Sequence, residues 1–322
     1  MDAFRPQLVT VYGGSGFLGR HVVRALAKRG FRVRVAVRRP DLTHHLQPLG
    51  NVGQIQAVQA NLRYPASVHA AARGADHLVN LVGILAESGA QSFDAVQREG
   101  ARAVAEAARQ VGAGLAHVSA IGADAEAESD YARTKGMAER AVLETVPSAT
   151  ILRPSIVFGP EDDFFNRFAA MARLSPVLPL IGGGRTRFQP VYVGDVAEAV
   201  TRSVEGRAEA GATYELGGPD VATFRECLER MLAAIDRRRA LVSLPFGLAS
   251  FGAKFAQYLP GAPLTPDQVL LLKRDNVVSE AAKERGHTLE GLGIAPTAMS
   301  AIIPTYLVRF RPYGQYEPSR GL

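Results

Sequence analysis

The sequence predicts an α/β protein, a doubly wound parallel sheet followed by a smaller, mostly helical C-terminal domain. Three observations carry this. A glycine cluster, Gly13-Gly14-Ser15-Gly16-Phe17-Leu18-Gly19, separates an apolar run from an amphipathic segment. Apolar runs then alternate with helical-period segments as far as residue 154, the pattern of a parallel sheet covered on both faces. Asn80, Gly83 and Ser119 fall at the ends of two of these runs, at the carboxyl edge where such sheets collect their ligands.

The first strand is the run Leu8-Val9-Thr10-Val11-Tyr12. The segment after the glycines puts Val22, Val23, Leu26 and Ala27 on one helical face. Gly30 supplies the left-handed residue that ends the helix. Gly14-x-Gly16-x-x-Gly19 and the overlapping Gly13-x-x-Gly16-x-x-Gly19 both sit where a strand turns into a helix. There the glycines let the main chain approach a diphosphate, and the helix start offers it N–H donors and the positive end of a dipole. A bound dinucleotide is therefore expected at this loop.

Phe31 to Val37 is the second strand, ending in Arg38-Arg39-Pro40. NAD-preferring folds commonly carry an acidic residue here, on the ribose 2′-hydroxyl. Two arginines stand in its place, and a guanidinium fork matches a 2′-phosphate. NADP(H) is favoured over NAD(H), with Arg38 the first candidate and Arg39 the second; the plain alternative is a pair of solvated loop arginines. Val52 to Val58 is expected as the third strand, with Asn61-Leu62 near the adenine. A short helix runs from Pro65 to Ala72 and Gly74 ends it. His77 to Gly83 gives the fourth strand and its exit loop, and an Ala-rich helix spans about Ser92 to Val111. Leu115 to Ser119 is the fifth strand. His77 and His117 alternate with apolar residues, so they are expected packed or at the surface. No metal-spaced cluster accompanies them, and no metal is expected.

The next helix begins at Asp130 and carries Tyr131 and Lys135 four residues apart, hence on one face. An ammonium beside a phenol lowers the phenol pKa, which suits acid–base work near neutral pH. Ser119, twelve residues upstream, could hydrogen-bond a substrate oxygen. Alone the Tyr/Lys pair means little; behind the glycine loop and a strand-end serine it becomes a candidate catalytic set of Ser119, Tyr131 and Lys135.

Composition sets the limits. The chain has 322 residues, 47% hydrophobic and 21% charged, which suits a soluble globular protein. The net charge of +6 fits a solvated basic surface, a polyanionic cofactor or an anionic membrane surface. No dense basic block interleaved with aromatics points to nucleic acid. A single cysteine, Cys227, excludes an internal disulfide and sits at helical spacing from Leu228, Met231 and Leu232, as a core residue would. No secretory leader and no spanning run is read, so a cytoplasmic location is expected, with the inner face of the cytoplasmic membrane as a peripheral site.

Residues 1–155 are expected to form the dinucleotide-binding domain, with 186–204 returning to it, and 156–322 the second domain. In the latter, Asp162 to Arg173 reads as a helix and Thr223 with Glu226 forms a capping box, while Asp195 to Val204 reads as a helix that returns to the first domain. Leu241 to Leu264 crowds Leu244, Phe246, Leu248, Phe251, Phe255, Tyr258 and Leu259 around one lysine, Lys254. It is either a lid or ordinary core, or an interfacial segment on a membrane or quinone-rich partner. The aromatic and arginine-rich tail 306–316 suits docking or surface packing equally.

With these motifs the chain resembles the extended or atypical short-chain dehydrogenase/reductase family over its full length, which implies a Rossmann-type sheet. The resemblance rests on the glycine loop, Asn61-Leu62, Asn80-Leu81-Val82-Gly83, Ser119, Tyr131-x-x-x-Lys135, Leu152-Arg153-Pro154 and Val191-Tyr192-Val193-Gly194-Asp195. It implies cofactor contacts from Gly13, Ser15, Gly16, Phe17, Leu18, Gly19, Arg38, Arg39, Asn61, Leu62, Leu81, Val82, Gly83, Tyr131, Lys135 and Pro154. Residues 154–171, Gln189-Pro190-Val191 and Leu289-Glu290-Gly291-Leu292-Gly293-Ile294 are most similar to the branch of nucleotide-binding accessory subunits of respiratory complex I. That branch implies tightly held NADP(H), a structural or assembly role, and respiratory-chain or quinone-pathway partners. The alternative is an active oxidoreductase or epimerase acting on a small carbonyl or a nucleotide sugar. Tyr12, Asn61 and Ala120 depart from the family's usual Thr, Asp and second hydroxyl.

Overall fold

A computed structural model describes residues 6–256 and 264–316. Its chain opens with β1 (Leu8–Tyr12), α1 (Phe17–Lys28), β2 (Arg32–Val37), β3 (Ile55–Gln59), α2 (Pro65–Ala72) and β4 (His77–Asn80). A π-helical stretch, Asp94–Arg98, leads into α3 (Glu99–Val111), then β5 (Gly114–Val118), α4 (Asp130–Thr145) and β6 (Thr150–Pro154). Next come β7 (Val157–Phe158), α5 (Phe165–Leu174), β8 (Val177–Ile181), β9 (Arg187–Phe188), β10 (Val191–Tyr192), α6 (Val193–Val204) and β11 (Thr213–Leu216). The chain continues through β12 (Ala222–Thr223), α7 (Phe224–Ala234), β13 (Ala240–Leu244) and α8 (Phe246–Ala256) to α9 (Pro266–Leu271), α10 (Glu280–Glu284) and α11 (Met299–Leu307).

Seven strands form one sheet in the order β11-β6-β5-β4-β1-β2-β3, every neighbouring pair parallel. The order reverses direction at β1, whose neighbours are β2 and β4, and a ligand crevice opens at the carboxyl ends of strands beside such a switch point. This is the Rossmann-type doubly wound sheet that the sequence predicts. The strands are apolar because both faces are covered; all five residues of β1 are buried. Helix α3 packs on α2 and α4 through a run of small residues, with Ala101, Ala103, Ala105, Ala107 and Ala108 all buried. Gly100 is part of this tight fit, since a Cβ there would stand 2.9 Å from Leu62.

Helix α1 ends as the sequence suggests. Gly30 has φ +85°, and the amides of Gly30 and Phe31 reach back to the carbonyls of Ala27 and Leu26, the paired bonds of a Schellman motif. Two other boundaries differ from expectation. The third strand starts at Ile55, not Val52: Val52 is fully exposed and Gly53 turns the chain with φ +75°. The helix expected from Ser92 is π-helical over Asp94–Arg98 and becomes α only at Glu99.

The chain divides into two compact units. The first holds Met1–Pro154, Gly194–Leu216 and Ser279–Ala295. Its returning segment is thus 194–216 rather than the expected 186–204, because β11 must pair with β6 to complete the sheet, and residues 279–295 join it as well. The second unit holds Ser155–Val193, Gly217–Val278 and Pro296–Leu322. Its core gathers Phe158, Phe165, Phe188, Phe224, Cys227, Met231 and Leu307. Cys227 is buried, which pushes its thiol up to about 12, so it is a packing residue and not a nucleophile. The capping box of Thr223 and Glu226 is present at the start of α7. Helix α5 begins at Phe165 rather than Asp162, because the Asp162 carboxylate turns inward to accept from the Gly159 and Asn166 amides and the Tyr306 hydroxyl.

Within this unit α8 buries Ala249 and Ala253 while Leu248, Phe251 and Phe255 stay exposed. Tyr258 and Leu259, named in the sequence reading of this stretch, lie outside the described residues. In the tail Phe310 is buried, and Tyr313 and Tyr316 are exposed.

Candidate functional site

The glycine loop turns β1 into α1, and each glycine has its own reason. Gly13 sits at φ +80°, a left-handed conformation that other residues rarely adopt. Its amide donates to the Ala36 carbonyl at 3.1 Å, and its carbonyl accepts from Gly16 at 3.1 Å. At Gly19 a Cβ would fall 2.3 Å from the Gly13 carbonyl oxygen, so only glycine lets helix and turn pack this closely. At Gly16 a Cβ would meet only the Gly13 oxygen, at 3.5 Å, so the main chain there is open to approach. Gly16 is also the N-cap, with no side chain to satisfy the first amides of α1. An exposed main chain, free first-turn donors and a helix dipole together fit a diphosphate. Ser15, Phe17 and Leu18 are half-buried in the same turn.

The end of β2 presents both arginines to solvent. They are not equivalent. Arg39 is gripped by Asp41 through two nitrogens, the closer at 2.7 Å, and this bond holds the Asp41 carboxyl below its usual range. Among the described residues Arg38 rests only on a neutral amide, donating from Nη1 to Gln91 Oε1 at 2.6 Å. After β3 the Asn61 side-chain oxygen accepts from the Arg63 amide at 3.2 Å, closing a local turn. Leu62 is buried in the core cluster of the first unit, so its main chain rather than its side chain is on offer to a ligand.

At the end of β4 the Leu81 amide donates to the Tyr12 carbonyl, which holds the exit loop beside the glycine turn. Asn80 organises this loop. Its Oδ1 accepts from the Val82 amide at 3.1 Å, which fixes the amide group so that Nδ2 faces His117 Nδ1 at 3.1 Å. An amide nitrogen only donates, so Nδ1 accepts and the imidazole proton stands on Nε2. Burial, with the nearby Lys135 charge second, pushes the His117 pKa down to about 3, so the ring stays neutral.

Lys135, from the second turn of α4, is 4% exposed and donates from Nζ to the Val118 carbonyl at 3.1 Å. Gly83 makes room for it, since a Cβ there would come 3.3 Å from Nζ. Burial brings the Lys135 pKa down to about 8, against the upward pull of Glu139 one turn on. Glu139 is itself held by Arg153, at 2.9 and 2.5 Å. Ser129 caps α4 by accepting from the Ala132 amide, and Thr134 donates to Gln97 Oε1, whose amide donates in turn to the Ile84 carbonyl. These bonds tie α4 to the π-helical stretch and the β4 exit loop. Tyr131 is half-buried, its ring edge-on to Phe93 with centroids 6.0 Å apart. Ser119 follows β5; its amide donates to the Leu152 carbonyl, yet its hydroxyl is buried with no hydrogen-bond partner among the described residues. Pro154 ends β6, buried, its carbonyl accepting from Ile121. Every residue expected at the site therefore belongs to the first unit.

The family model for the NAD dependent epimerase/dehydratase family matches residues 9–217, from β1 to just past β11. The chain belongs to this family. Among curated relatives it is 34% identical over 320 residues to the mitochondrial NADH dehydrogenase (ubiquinone) 1 alpha subcomplex subunit 9 of Arabidopsis thaliana, covering 95% of this chain and 79% of that protein. It is 38% identical over 190 residues to a ceramide reductase of Caulobacter vibrioides, covering 59% and 58%. The NADPH-dependent quinone oxidoreductase of Escherichia coli, solved with NADPH, shares the fold with a TM-score of 0.72 at 18% identity, over 92% of this chain and 99% of that one.

For a member of this family the residues present fit a nicotinamide dinucleotide. Gly13 to Gly19 would hold the diphosphate, Asn61 and Leu62 the adenine, and Val82, Gly83 and Lys135 the ribose side. The nicotinamide, when bound, supplies or accepts hydride. The chain's own part is proton handling. Lys135 is charged below about pH 8, and a cation close to a phenol would favour its ionised form. The unpartnered Ser119 hydroxyl can donate to a carbonyl oxygen, and Tyr131 can exchange a proton with that oxygen. Sequence reading missed the supports of this set: the Asn80–His117 pair, the Gln97–Thr134 link and the Glu139–Arg153 clamp. Asn80 was visible as a polar strand end, but nothing local connects it with a histidine 37 residues away.

Proposed function

We propose that this chain is an NADP(H)-holding accessory or assembly protein of respiratory NADH:ubiquinone oxidoreductase or of ubiquinone metabolism, working peripherally at the inner face of the cytoplasmic membrane. The observation that carries the reading is the likeness to the Arabidopsis subunit, which runs over 95% of the chain and so through both units. In this role the dinucleotide orders the first unit and turnover is secondary. The preference for NADP(H) is supported by the difference between the two arginines. Arg38 has only a neutral amide to leave for a 2′-phosphate, whereas Arg39 would have to leave a carboxylate. The test is co-purification of the tagged chain from membranes. Subunits of the respiratory complex or enzymes of quinone synthesis are expected with it; their absence rejects the reading.

A second reading is favoured by one specific observation, the buried Ser119 hydroxyl, which has no hydrogen-bond partner among the described residues and follows the Val118 whose carbonyl holds Lys135 Nζ. It is an active NADP(H)-dependent oxidoreductase or epimerase, and the relative named a ceramide reductase points to a lipid substrate ahead of a nucleotide sugar. Tyr131→Phe separates the two. The accessory role survives this substitution with dinucleotide binding and complex assembly intact, while the enzyme loses its turnover.

A further inference from the structure

Helix α8 is built the wrong way round for a helix that only packs. Its buried face carries the small residues Ala249 and Ala253. On the opposite side, Leu248, Phe251 and Phe255 are 62%, 63% and 65% exposed, at i, i+3 and i+7, and so form one stripe. The two phenyl rings pack edge-to-face with centroids 5.4 Å apart, one continuous apolar knob rather than scattered side chains. Gly247 and Gly252 flank it with open space where a Cβ would stand. No helix among the described residues is long and apolar enough to cross a membrane, so the stripe is suited to lie on a surface.

Charge indicates which surface. From Arg237 to Pro266 the chain holds Arg237, Arg238, Arg239 and Lys254 and not one Asp or Glu. The second unit as a whole carries 15 Lys and Arg against 10 Asp and Glu, so +5 of the chain's net +6 lies in it. An apolar stripe in a stretch free of carboxylates, within the basic unit, matches an interface that is both apolar and anionic. We propose that the Leu248–Phe251–Phe255 face of α8 seats this protein on an anionic phospholipid bilayer, its rings at the headgroup–acyl boundary and Lys254 at the phosphates. This rests on the membrane-side reading above and names the surface responsible.

The experiment is flotation of the purified full-length chain with vesicles of phosphatidylcholine alone and with roughly a third phosphatidylglycerol. The wild type is expected to float with the anionic vesicles and to be released by high salt. Phe251→Ser/Phe255→Ser should weaken this partitioning at least roughly tenfold, with NADPH affinity and thermal unfolding unchanged because both side chains are exposed. Lys254→Glu should lower the preference for anionic over neutral vesicles. Failure of the wild type to float, or equal flotation of the double variant, overturns the proposal. A wild-type dimer by light scattering that the double variant converts to monomer, without vesicle binding, assigns the face to a second copy and overturns it too. Co-purification of a respiratory complex without vesicle binding sinks the surface but leaves the accessory role. Vesicle binding with no such partner does the reverse.

Discussion

Single residues decide what this site can hold. Gly19 is the most stringent, because any Cβ would sit inside the contact distance of the Gly13 carbonyl. Gly19→Ala should destabilise the protein by about 3 kcal/mol or more and abolish dinucleotide binding; a variant with unchanged denaturant midpoint and NADPH affinity would refute this account of the turn. Lys135 and His117 make stability depend on pH in the same direction. Each has a lowered folded pKa, so each binds fewer protons folded than unfolded, and stability rises with pH across its window. For His117 stability is lost as pH falls from 6.5 toward about 3. For Lys135 it is gained as pH rises from about 8 to 10.5, by up to roughly 3 kcal/mol. Lys135→Met should flatten that alkaline slope in urea titrations; a parallel slope would assign the titration to another group. The sequence offers Arg38 and Arg39 as candidates for a 2′-phosphate, but the difference between them is not local, because it depends on what each guanidinium already holds.

Elements were read well where periodicity is local. The strand–glycine–helix opening, the Pro65–Ala72 helix and the Thr223 capping box are short-range features, fixed by residues within a few positions of one another. Thr223→Ala should cost about 1 kcal/mol, measurable as a lower urea midpoint without a change in m-value. Helix α3 illustrates the opposite demand. Its alanines are there because two helices and a sheet close in on it, so Ala107→Leu should overpack the first unit and lose about 1–3 kcal/mol. A neutral result would mean that the α2–α3–α4 layer is looser than its buried surfaces indicate. The start of α3 was missed because residues 94–98 keep a helical pattern while bonding one residue further along the chain. Within that stretch Gln97 bonds to Thr134 and the Ile84 carbonyl, both remote from it in sequence.

At the scale of the whole molecule, every candidate cofactor residue lies in the first unit. Adding NADPH should therefore raise hydrogen-exchange protection mainly in Met1–Pro154, Gly194–Leu216 and Ser279–Ala295. At a hundredfold excess over Kd it should add about 2.7 kcal/mol to stability. NADH should give a smaller thermal shift, and Arg38→Ala should bring the two coenzymes level. An equal shift for both in the wild type would remove the argument for NADP(H). Protection spread evenly over both units would contradict the placement of the site.

The sequence by itself determined the fold class and the strand–glycine–helix turn, and it nominated Ser119, Tyr131 and Lys135 as candidates, because glycine geometry, strand and helix periods and capping act over a few residues. Tertiary structure alone decided that β11 and residues 279–295 come back to the first unit, that Asn80 holds His117, and that Lys135 lies on the Val118 carbonyl. It also decided that α8 hides Ala249 and Ala253 and shows Phe251 and Phe255. The partner of a polar atom, and the side of a helix that is covered, depend on segments far apart in the chain, and no local pattern records which of them will meet.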